Sequence, residues 1–318
     1  MTGAGLGVER GVMLAGMGGV SGPRLAAAVA ASGGLGVVGA FKATGAELNG
    51  LVDPLLAATA GTVGVSLVPE AVSAGTLDAQ LLRILGHTPD RLLVVSFGTL
   101  PDVAVARLRA AGRRFVVQVG SVDAAGRALA AGAYAVVAQG AQAGGRLLGD
   151  TPTAELVAAV RRRHPDAVVV AAGGIATPDD AAAVAQAGAD AVCCGTAFVP
   201  AEESDAHETY KDRVVAAGAV DTTVTDVFDL GWAGRRHRVL SSRVTADPGR
   251  YGRTHIGTTE VAGRSHPVYR FSATVPTRFT EGLIDDMAMY AGHSCEGVRG
   301  RSTAAEIVNK LANALEDA

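Results

Sequence analysis

Two glycine-containing turns in the middle of the chain have the residue types of an anion-binding site. From Ala171 the sequence reads AAGGIATPDD, so an apolar run ends at Gly173-Gly174, and Pro178 is typical of the first turn of a helix. Glycine has no Cβ, so its backbone N–H can approach a ligand closely, and a helix N-terminus favours negative charge. The next apolar run ends in Gly195-Thr196, which adds a hydroxyl donor. Together the two turns predict a phosphate site, although glycines in such positions can also serve only to form tight turns.

The elements that must position these turns follow a repeated strand and helix pattern. Up to about residue 200, short runs rich in valine, isoleucine and leucine alternate with alanine-rich segments of helical length. We predict strands at residues 12–15, 35–38, 63–67, 92–96, 115–119, 135–138, 168–171 and 191–194. We predict helices between them at residues 23–31, 45–59, 77–85, 101–111, 123–131, 153–163 and 178–187.

This pattern predicts the fold class. Apolar strands separated by helices indicate a sheet that is buried on both faces, as in a closed barrel or a doubly wound open sheet. The eight strands, most of them followed by glycine or a polar residue, favour an α/β fold of the TIM (β/α)8 barrel type. We assign residues 1–205 to the barrel and 206–290, where the repeat stops, to a smaller α+β side domain or lid. Residues 291–318 are assigned to a C-terminal segment whose helix, at 303–315, packs back on the barrel, and 202–217 is also predicted to be helical.

Composition argues against several classes of protein. Only 4% of the residues are aromatic and the formal net charge is -3, so we expect no nucleic-acid partner. No long uninterrupted apolar segment and no cleavable leader are evident, so we expect no membrane partner. Cys193, Cys194 and Cys295 form a poor disulfide framework, which favours a reducing compartment and predicts a cytoplasmic protein. Because adjacent strand residues point to opposite faces, we expect no metal site at Cys193 and Cys194.

Four segments resemble the nitronate monooxygenases, also called 2-nitropropane dioxygenases. They are MLAGMGGVSGPRLAAAVAASGGLGVVGA at 13–40, QGAQAGGRLLGD at 139–150, TDVFDLGWAGRRHRVL at 225–240 and MAMYAGHSCEGVR at 287–299. Flavin-dependent enoyl-acyl carrier protein reductases share much of this pattern. The resemblance implies an FMN-dependent oxidoreductase that oxidises a small nitronate or related carbanion-like substrate with O2, and it is compatible with a homodimer.

The resemblance also implies which residues surround FMN at the mouth of the barrel. Position by position it assigns contacts with the flavin ring, its polar edge or its phosphate to Gly16, Met17, Ser66 (where the family more often has asparagine), Gln118, Gln139, Gly144, Gly145, Gly173, Gly174, Gly195, Thr196, Tyr290, Gly292 and Ser294.

The catalytic position departs from the family pattern. In the family, the glycine pair after strand six is followed by a histidine that acts as general base, and here that residue is Arg146. Arginine stays protonated at ordinary pH, so it cannot accept the proton. Arg146 could instead orient the oxygens of a preformed nitronate, or bind a carboxylate or phosphate of a different substrate in a diverged biosynthetic reaction. It could also be a solvated loop residue or pair with Asp150.

His293 is a second departure, since the family usually has glutamine beside the flavin at this position. A histidine has a pKa suited to proton transfer near neutrality and could supply the missing base, although it could also be a hydrogen-bonding loop residue. His237 and the other histidines lack the spacing of a metal site. Three other functions compete: an NAD(P)H-dependent enoyl reductase, a flavin-binding protein without turnover, and a phosphate-binding barrel isomerase without flavin.

Overall fold

Nine strands precede residue 195 in the computed structural model, which describes residues 6–87, 91–261 and 263–316. All except β7 belong to one parallel sheet. The strands are β1 (Val12–Leu14), β2 (Gly36–Phe41), β3 (Val63–Leu67), β4 (Leu92–Phe97), β5 (Phe115–Val119), β6 (Ala135–Gln139), β7 (Gly145–Arg146), β8 (Val169–Ala172) and β9 (Ala191–Cys194).

The eight-stranded sheet is nearly closed. Its order is β1-β9-β8-β6-β5-β4-β3-β2, and the two outer strands meet at a parallel bridge between Met13 and Leu35. The N–H of Leu14 donates to Leu35 O at 2.9 Å, and the N–H of Leu35 donates to Val12 O at 2.8 Å. The predicted TIM barrel is therefore confirmed.

Helices surround the barrel and also occur in the chain that follows it. They are α1 (Pro23–Ala31), α2 (Gly45–Ala58), α3 (Ala74–Leu85), α4 (Asp102–Ala110), α5 (Val122–Ala130), α6 (Thr153–Arg163), α7 (Pro178–Gln186), α8 (Glu208–Ala216), α9 (Arg243–Ala246) and α10 (Ala304–Glu316). The side chains of Ser73, Ser121 and Thr177 accept a backbone N–H at the start of α3, α5 and α7, which fixes where these helices begin. Helix α10 packs against α1 and α7. No helix among the described residues is long and apolar enough to cross a membrane.

The apolar core has two layers because strand side chains alternate. Met13, Val95 and Cys193 lie inside the barrel, whereas Cys194 packs among the residues between the strands and the helices. Cys193 and Cys194 therefore point to opposite sides of β9, as the sequence predicted. All three cysteines are buried and unpaired.

The chain after α8 forms two small antiparallel sheets. They contain β10 (Thr222–Thr225), β11 (His237–Leu240), β12 (His255–Val261), β13 (Arg264–Tyr269) and β14 (Thr280–Gly282). One sheet has the order β10-β11-β7, so the loop after β6 supplies a strand to it. In this sheet His237 pairs with Arg146, and Arg238 pairs with Gly145. The loop after β6, which carries Arg146, is thus part of this small antiparallel sheet.

One predicted helix is shorter than expected. The polar segment predicted at 202–217 becomes helical only at Glu208. The preceding residues form a turn and an isolated bridge at Ala206, and their backbone bonds to other parts of the chain: the N–H of Glu202 donates to Ser302 O, and the N–H of Asp205 donates to Val20 O. His207 then caps the helix through its ring. These contacts are long-range, so local helical propensity could not reveal them.

Candidate active site

A cavity lies at the carboxyl ends of the barrel strands and gathers most of the predicted site residues. Its wall includes the predicted residues Gly16, Met17, Ser66, Gln118, Gln139, Gly144, Gly145, Arg146, Thr196 and Tyr290. The predicted residues Gly173, Gly174, Gly195, His293 and Ser294 are not part of that wall. The strand-end loops therefore converge as expected for a barrel active site.

Gly16 and Gly145 shape the cavity because neither has a side chain. A Cβ at Gly16 would lie 2.2 Å from Ser66 Cβ, so the loops after β1 and β3 touch at this point. A Cβ at Gly145 would meet nothing within 4 Å, and its φ of +77° is a conformation that favours glycine. A residue with a side chain at 145 would project into open space beside the cavity, so glycine leaves room there for a bound group.

The two glutamines have different hydrogen-bonding states. Gln139 holds the loop after β6: its Nε2 donates to Arg146 O at 2.9 Å and its Oε1 accepts from the N–H of Leu148 at 2.9 Å. The amide of Gln118 and the hydroxyl of Ser66 have no hydrogen-bond partner among the described residues, and both residues border the cavity. Gln118 and Ser66 therefore remain available to a ligand, whereas Gln139 shapes the loop.

Four residues at the ends of β8 and β9, the strand tips, present backbone N–H groups without protein acceptors. Among the described residues, none of the backbone hydrogen bonds is donated by Gly173, Gly174, Gly195 or Thr196. Thr196 is buried and the three glycines are half-buried, so these N–H groups are available to an acceptor that a ligand supplies. The Thr196 hydroxyl accepts from the N–H of Gly292 at 3.0 Å and keeps its own proton to donate.

Thr196 lines the cavity, and the three glycines of the strand tips lie behind its wall. A Cβ at Gly173 would lie 2.8 Å from the backbone nitrogen of Ala143, and one at Gly195 would lie 3.3 Å from Met17 Sδ. The two residues that lead into α7 are held by the helix itself, because the N–H groups of Ala176 and Thr177 donate to Asp180 Oδ2 at 3.0 and 2.9 Å. The strand-tip amides are available as donors for an anion at this point, and a contribution from the N-terminus of α7 stays a prediction.

Arg146 is a buried cation tied to the side sheet. It is 4% exposed, and its Nη1 donates to Arg235 O at 2.8 Å while its Nη2 donates to Phe228 O at 2.5 Å. The guanidinium also lies over the ring of Trp232, 5.0 Å from the ring centroid. The alternative that Arg146 is a solvated residue or pairs with Asp150 is therefore wrong.

The charge of Arg146 is costly to bury and is not fully compensated. Burial lowers the pKa of Arg146 from its usual value, and Tyr290 partly opposes this shift. A guanidinium nevertheless stays protonated in proteins. Its Nε is buried without a hydrogen-bond partner, and Nη2 has a single acceptor, Phe228 O.

His237 stands directly behind Arg146, and the sequence did not single it out as functional. It is fully buried, and its Nδ1 lies 2.7 Å from Arg146 Nη1. Burial, together with the charge of Arg146, lowers the pKa of His237 to about 4. His237 is therefore neutral at physiological pH and can accept a hydrogen bond. A lone histidine in an irregular segment carries no local signal, because only the pairing of β11 with β7 places it here.

His293 lies outside the cavity wall. Its backbone N–H donates to Gln142 O at 3.0 Å, so it joins the returning segment to the loop after β6. Burial, with Arg238 nearby, lowers the pKa of its half-buried ring. Its role as a base stays a prediction. Within residues 6–87, 91–261 and 263–316, no group of three His, Cys, Asp or Glu side chains could hold a metal ion.

Comparison with known sequences shows which family this chain belongs to. The nitronate monooxygenase family matches residues 4–314. The chain belongs to this family. Its enzymes are flavin-dependent oxidoreductases. Among individual relatives, a probable nitronate monooxygenase of Staphylococcus aureus is 27% identical over 77% of this chain and 79% of its own length.

Another similar sequence has a different name. A (3aS,4S,5R,7aS)-5-hydroxy-7a-methyl-1-oxo-octahydro-1H-indene-4-carboxyl-CoA dehydrogenase of Rhodococcus jostii is 34% identical over 74% of this chain. A protein of the same name from Mycobacterium tuberculosis is 32% identical over 75% of this chain. The matched region spans slightly less than two-thirds of their lengths, 64% and 65%.

Solved structures share the fold over nearly the whole chain. FabK of Thermotoga maritima has a TM-score of 0.79 at 26% identity and covers 99% of this chain and 95% of its own. The nitroalkane oxidase of Streptomyces ansochromogenes has the same TM-score and identity and covers 99% and 98%. Structures with these two names superpose equally well on this nitronate monooxygenase family member.

An aromatic group forms the outer side of the cavity in this family member. Trp232 stacks on Phe41, with ring centroids 5.4 Å apart, and meets Phe97 edge to face at 5.4 Å. Glu70 holds the group in place by accepting from Trp232 Nε1 at 3.0 Å and from Arg235 Nε at 2.6 Å. The sequence did not predict that Trp232 lies at this cavity, because no local pattern links the segment GWAG to the loops after β2, β3 and β4. Arg146, His237 and Trp232 are called the arginine wall below.

Proposed function

We propose that this enzyme binds FMN between the strand tips and the cavity, and oxidises a preformed carbon-centred anion, such as a nitronate, with O2. The observation that carries the proposal is Arg146, a buried and permanently charged side chain in the cavity wall. Bound FMN would supply the electron acceptor and the place where O2 reacts.

The residues present fit an FMN group. The strand-tip amides offer donors without acceptors to its phosphate. Gly16 and Met17 would face the ring from one side, and the unpartnered side chains of Ser66 and Gln118 would lie at its polar edge. Gly145 leaves open space, as a planar group beside the chain requires.

The proposed substrate is an anion before it binds, because Arg146 cannot remove a proton. A nitronate already carries its negative charge on two oxygens, so a fixed guanidinium can hold it by a charge-assisted hydrogen bond. The apolar side chains of Phe41, Phe97 and Val275 would enclose its carbon part and exclude water, which strengthens that interaction.

The test is anaerobic reduction of the flavin by a panel of electron donors. Preformed alkyl nitronates are expected to bleach the flavin at pH 7, and freshly dissolved neutral nitroalkanes about 100-fold more slowly, because no base is in place. Equal rates with both forms would contradict the proposal, and so would purified protein without a bound flavin.

Redox chemistry on an acyl thioester is the second candidate. Two observations favour it: the 34% identity to a CoA-ester dehydrogenase and the structural likeness to FabK. Here Arg146 would hold the enolate oxygen formed at the thioester. Rapid bleaching of the flavin by NADH or NADPH without air, and no bleaching by nitronates, would select an enoyl reductase over the first candidate.

Three further predictions from the sequence stay predictions: the use of O2, a homodimer and a cytoplasmic location. Analytical ultracentrifugation of the flavin-loaded protein would settle the oligomeric state.

A further inference from the structure

A second cleft lies on the other face of the sheet that carries Arg146. His237 pairs with Arg146 across β11 and β7, so their side chains share one face of this sheet. Side chains alternate along a strand, so Arg238 lies on the opposite face, beside its partner Val224 of β10. Arg236, just before β11, borders the same cleft as Arg238, and the cleft has a volume of about 450 Å³. No residue of its wall belongs to the wall of the barrel-mouth cavity.

The loop after β7 forms the other wall. We call the space between Arg236, Arg238, Val224 and residues 147–150 the outer cleft. Two hydrogen bonds tie this loop to the segment before β11: the N–H of Leu147 donates to Arg236 O at 3.0 Å, and Nη1 of Arg235 donates to Leu147 O at 3.2 Å. The protein itself therefore fixes the two walls of the outer cleft relative to each other.

The two arginines of the outer cleft lack a carboxylate partner. Arg236 is exposed, and its side chain makes no hydrogen bond or ion pair within the part of the chain that the structure describes. Arg238 is half-buried, and its acceptors there are neutral: Thr222 Oγ1 at 3.2 Å and Ala141 O at 3.0 Å. Burial and the charge of Arg236 lower the pKa of Arg238. Two neighbouring cations thus repel each other without a protein anion between them.

The remaining charges do not cancel this excess. Arg235 also borders the outer cleft, but its charge is paired, because Glu70 accepts from its Nε at 2.6 Å. Asp150 is the acidic residue of the cleft wall; it is exposed and forms no ion pair in the described ranges. The outer cleft therefore has two unpaired positive charges against one carboxylate, and it favours an anion.

A phosphate group fits this cleft best. The N–H groups of a guanidinium match the oxygens of a phosphate, and hydrogen bonds between charged partners are stronger than those between neutral ones. Leu147, Leu148 and Val224 add apolar surface beside the arginines, which suits the organic part of a phosphate ester.

We propose that Arg236 and Arg238 form a phosphate-binding site in the outer cleft, separate from the barrel-mouth cavity and from the strand tips. Its ligand is a phosphate ester or a free phosphate anion. The proposal goes beyond the proposed function and does not rest on it, because the chemistry in the cavity does not involve this cleft.

The test is calorimetric titration of the full chain, as purified, with inorganic pyrophosphate. About 0.15 M NaCl is present, so that exposed charges farther than about 8 Å from the ligand are screened. Arg238→Gln is expected to raise the Kd about tenfold, the effect of one lost hydrogen bond between charged groups. Arg236→Gln should raise it about fivefold, because this side chain is exposed.

The source of the phosphate is identified by a parallel titration with ADP. Tighter binding of ADP than of pyrophosphate would identify a phosphate ester, whose organic part contacts the apolar wall. Tighter binding of pyrophosphate would identify a free phosphate anion. Either result supports the site, provided that Arg236→Gln weakens binding of the same ligand.

A double variant outside the cleft is the matched control. Arg250→Gln/Arg264→Gln removes two exposed positive charges and should change the Kd for pyrophosphate less than about twofold, against about 50-fold for Arg236→Gln/Arg238→Gln. Thermal unfolding shows whether each variant is folded; if Arg238→Gln is not, Arg236→Gln decides the test alone. Equal losses in the two double variants would show that only general surface charge is involved and would overturn the proposal. So would binding that Arg236→Gln leaves unchanged, or wild-type protein that binds neither pyrophosphate nor ADP.

Discussion

The strand tips and the arginine wall both face a bound anion in our account, but they are built in different ways. The strand tips use backbone amides, which glycine exposes and which no side chain can replace. The arginine wall uses one side chain, and its geometry depends on a strand pairing between distant segments. Substitutions that add a side chain should therefore disrupt the strand tips, whereas substitutions that remove the charge or a hydrogen-bond acceptor should disrupt the arginine wall.

The largest effect is expected at the strand tips. Gly173→Ala would place a Cβ 2.8 Å from the backbone nitrogen of Ala143, at a φ of +108° that disfavours any side chain. We expect FMN affinity to fall about 100-fold or more, measured by the recovery of flavin fluorescence on release. Gly112→Ala is the matched control, because its φ is +62° and its Cβ would meet nothing within 4 Å. Equal FMN affinity in Gly173→Ala and wild type would show that the strand tips do not bind the cofactor.

Charge removal in the arginine wall should come next. Arg146→Met is expected to lower kcat/KM for nitronate about 100-fold, since it removes a charge-assisted hydrogen bond in a buried site. FMN affinity should stay within about threefold of wild type, because the strand tips are intact. A loss of FMN affinity equal to that of Gly173→Ala would show that the strand tips and the arginine wall both bind the cofactor, which contradicts separate roles for the two regions.

Elements that repeat along the chain were predictable from sequence, and elements that depend on distant pairing were not. The alternation of apolar runs and helices placed all eight barrel strands, with β2 extending three residues further, to Phe41. Two-residue strand β7 contains a glycine and has no local pattern, so it was missed, and His237 and Trp232 were missed with it. Most of the residues that the resemblance assigned to the site line one cavity, but the resemblance could not show that Gln139 makes two hydrogen bonds within its own loop.

The support of the arginine wall gives a smaller prediction. Glu70→Gln weakens the acceptor shared by Trp232 and Arg235, so the aromatic group should loosen. Because the ion pair is partly exposed, we expect kcat/KM for nitronate to fall only about fivefold, measured by steady-state O2 consumption. Glu47→Gln, at an exposed position in the first turn of α2, is the control. No difference between these two variants would show that Trp232 needs no support from the loop after β3.

Acid should destabilise the protein through His237 in the arginine wall. Burial and the charge of Arg146 lower the pKa of His237 to about 4, and a hydrogen bond to the backbone of Arg235, with Asp226 and Asp229 nearby, partly opposes this shift. Between its unfolded value, near 6.5, and pH 4, the unfolded chain binds a proton that the folded chain does not. The contribution of His237 to stability is therefore complete above pH 6.5 and declines as pH falls, by at most about 1.4 kcal/mol per pH unit. Urea unfolding of wild type and His237→Asn should show a flatter profile in the variant, and parallel profiles would contradict this assignment.

The smallest effect is expected at His293, which belongs to neither region. It lies outside the cavity wall and contributes a backbone hydrogen bond that any residue can make. His293→Gln should leave kcat for nitronate within about twofold of wild type across pH 6 to 9. Loss of an ionisation from the pH profile in this variant would instead identify His293 as the missing base.

One measurement tests the central claim directly: the rate of anaerobic flavin reduction by a freshly dissolved neutral nitroalkane, compared with the rate at which that compound ionises without enzyme. If Arg146 only holds an anion that forms in solution, flavin reduction cannot exceed the uncatalysed ionisation at any enzyme concentration. Reduction that is faster than ionisation and rises with enzyme concentration would show that the protein removes the proton itself, and the account of Arg146 would be wrong.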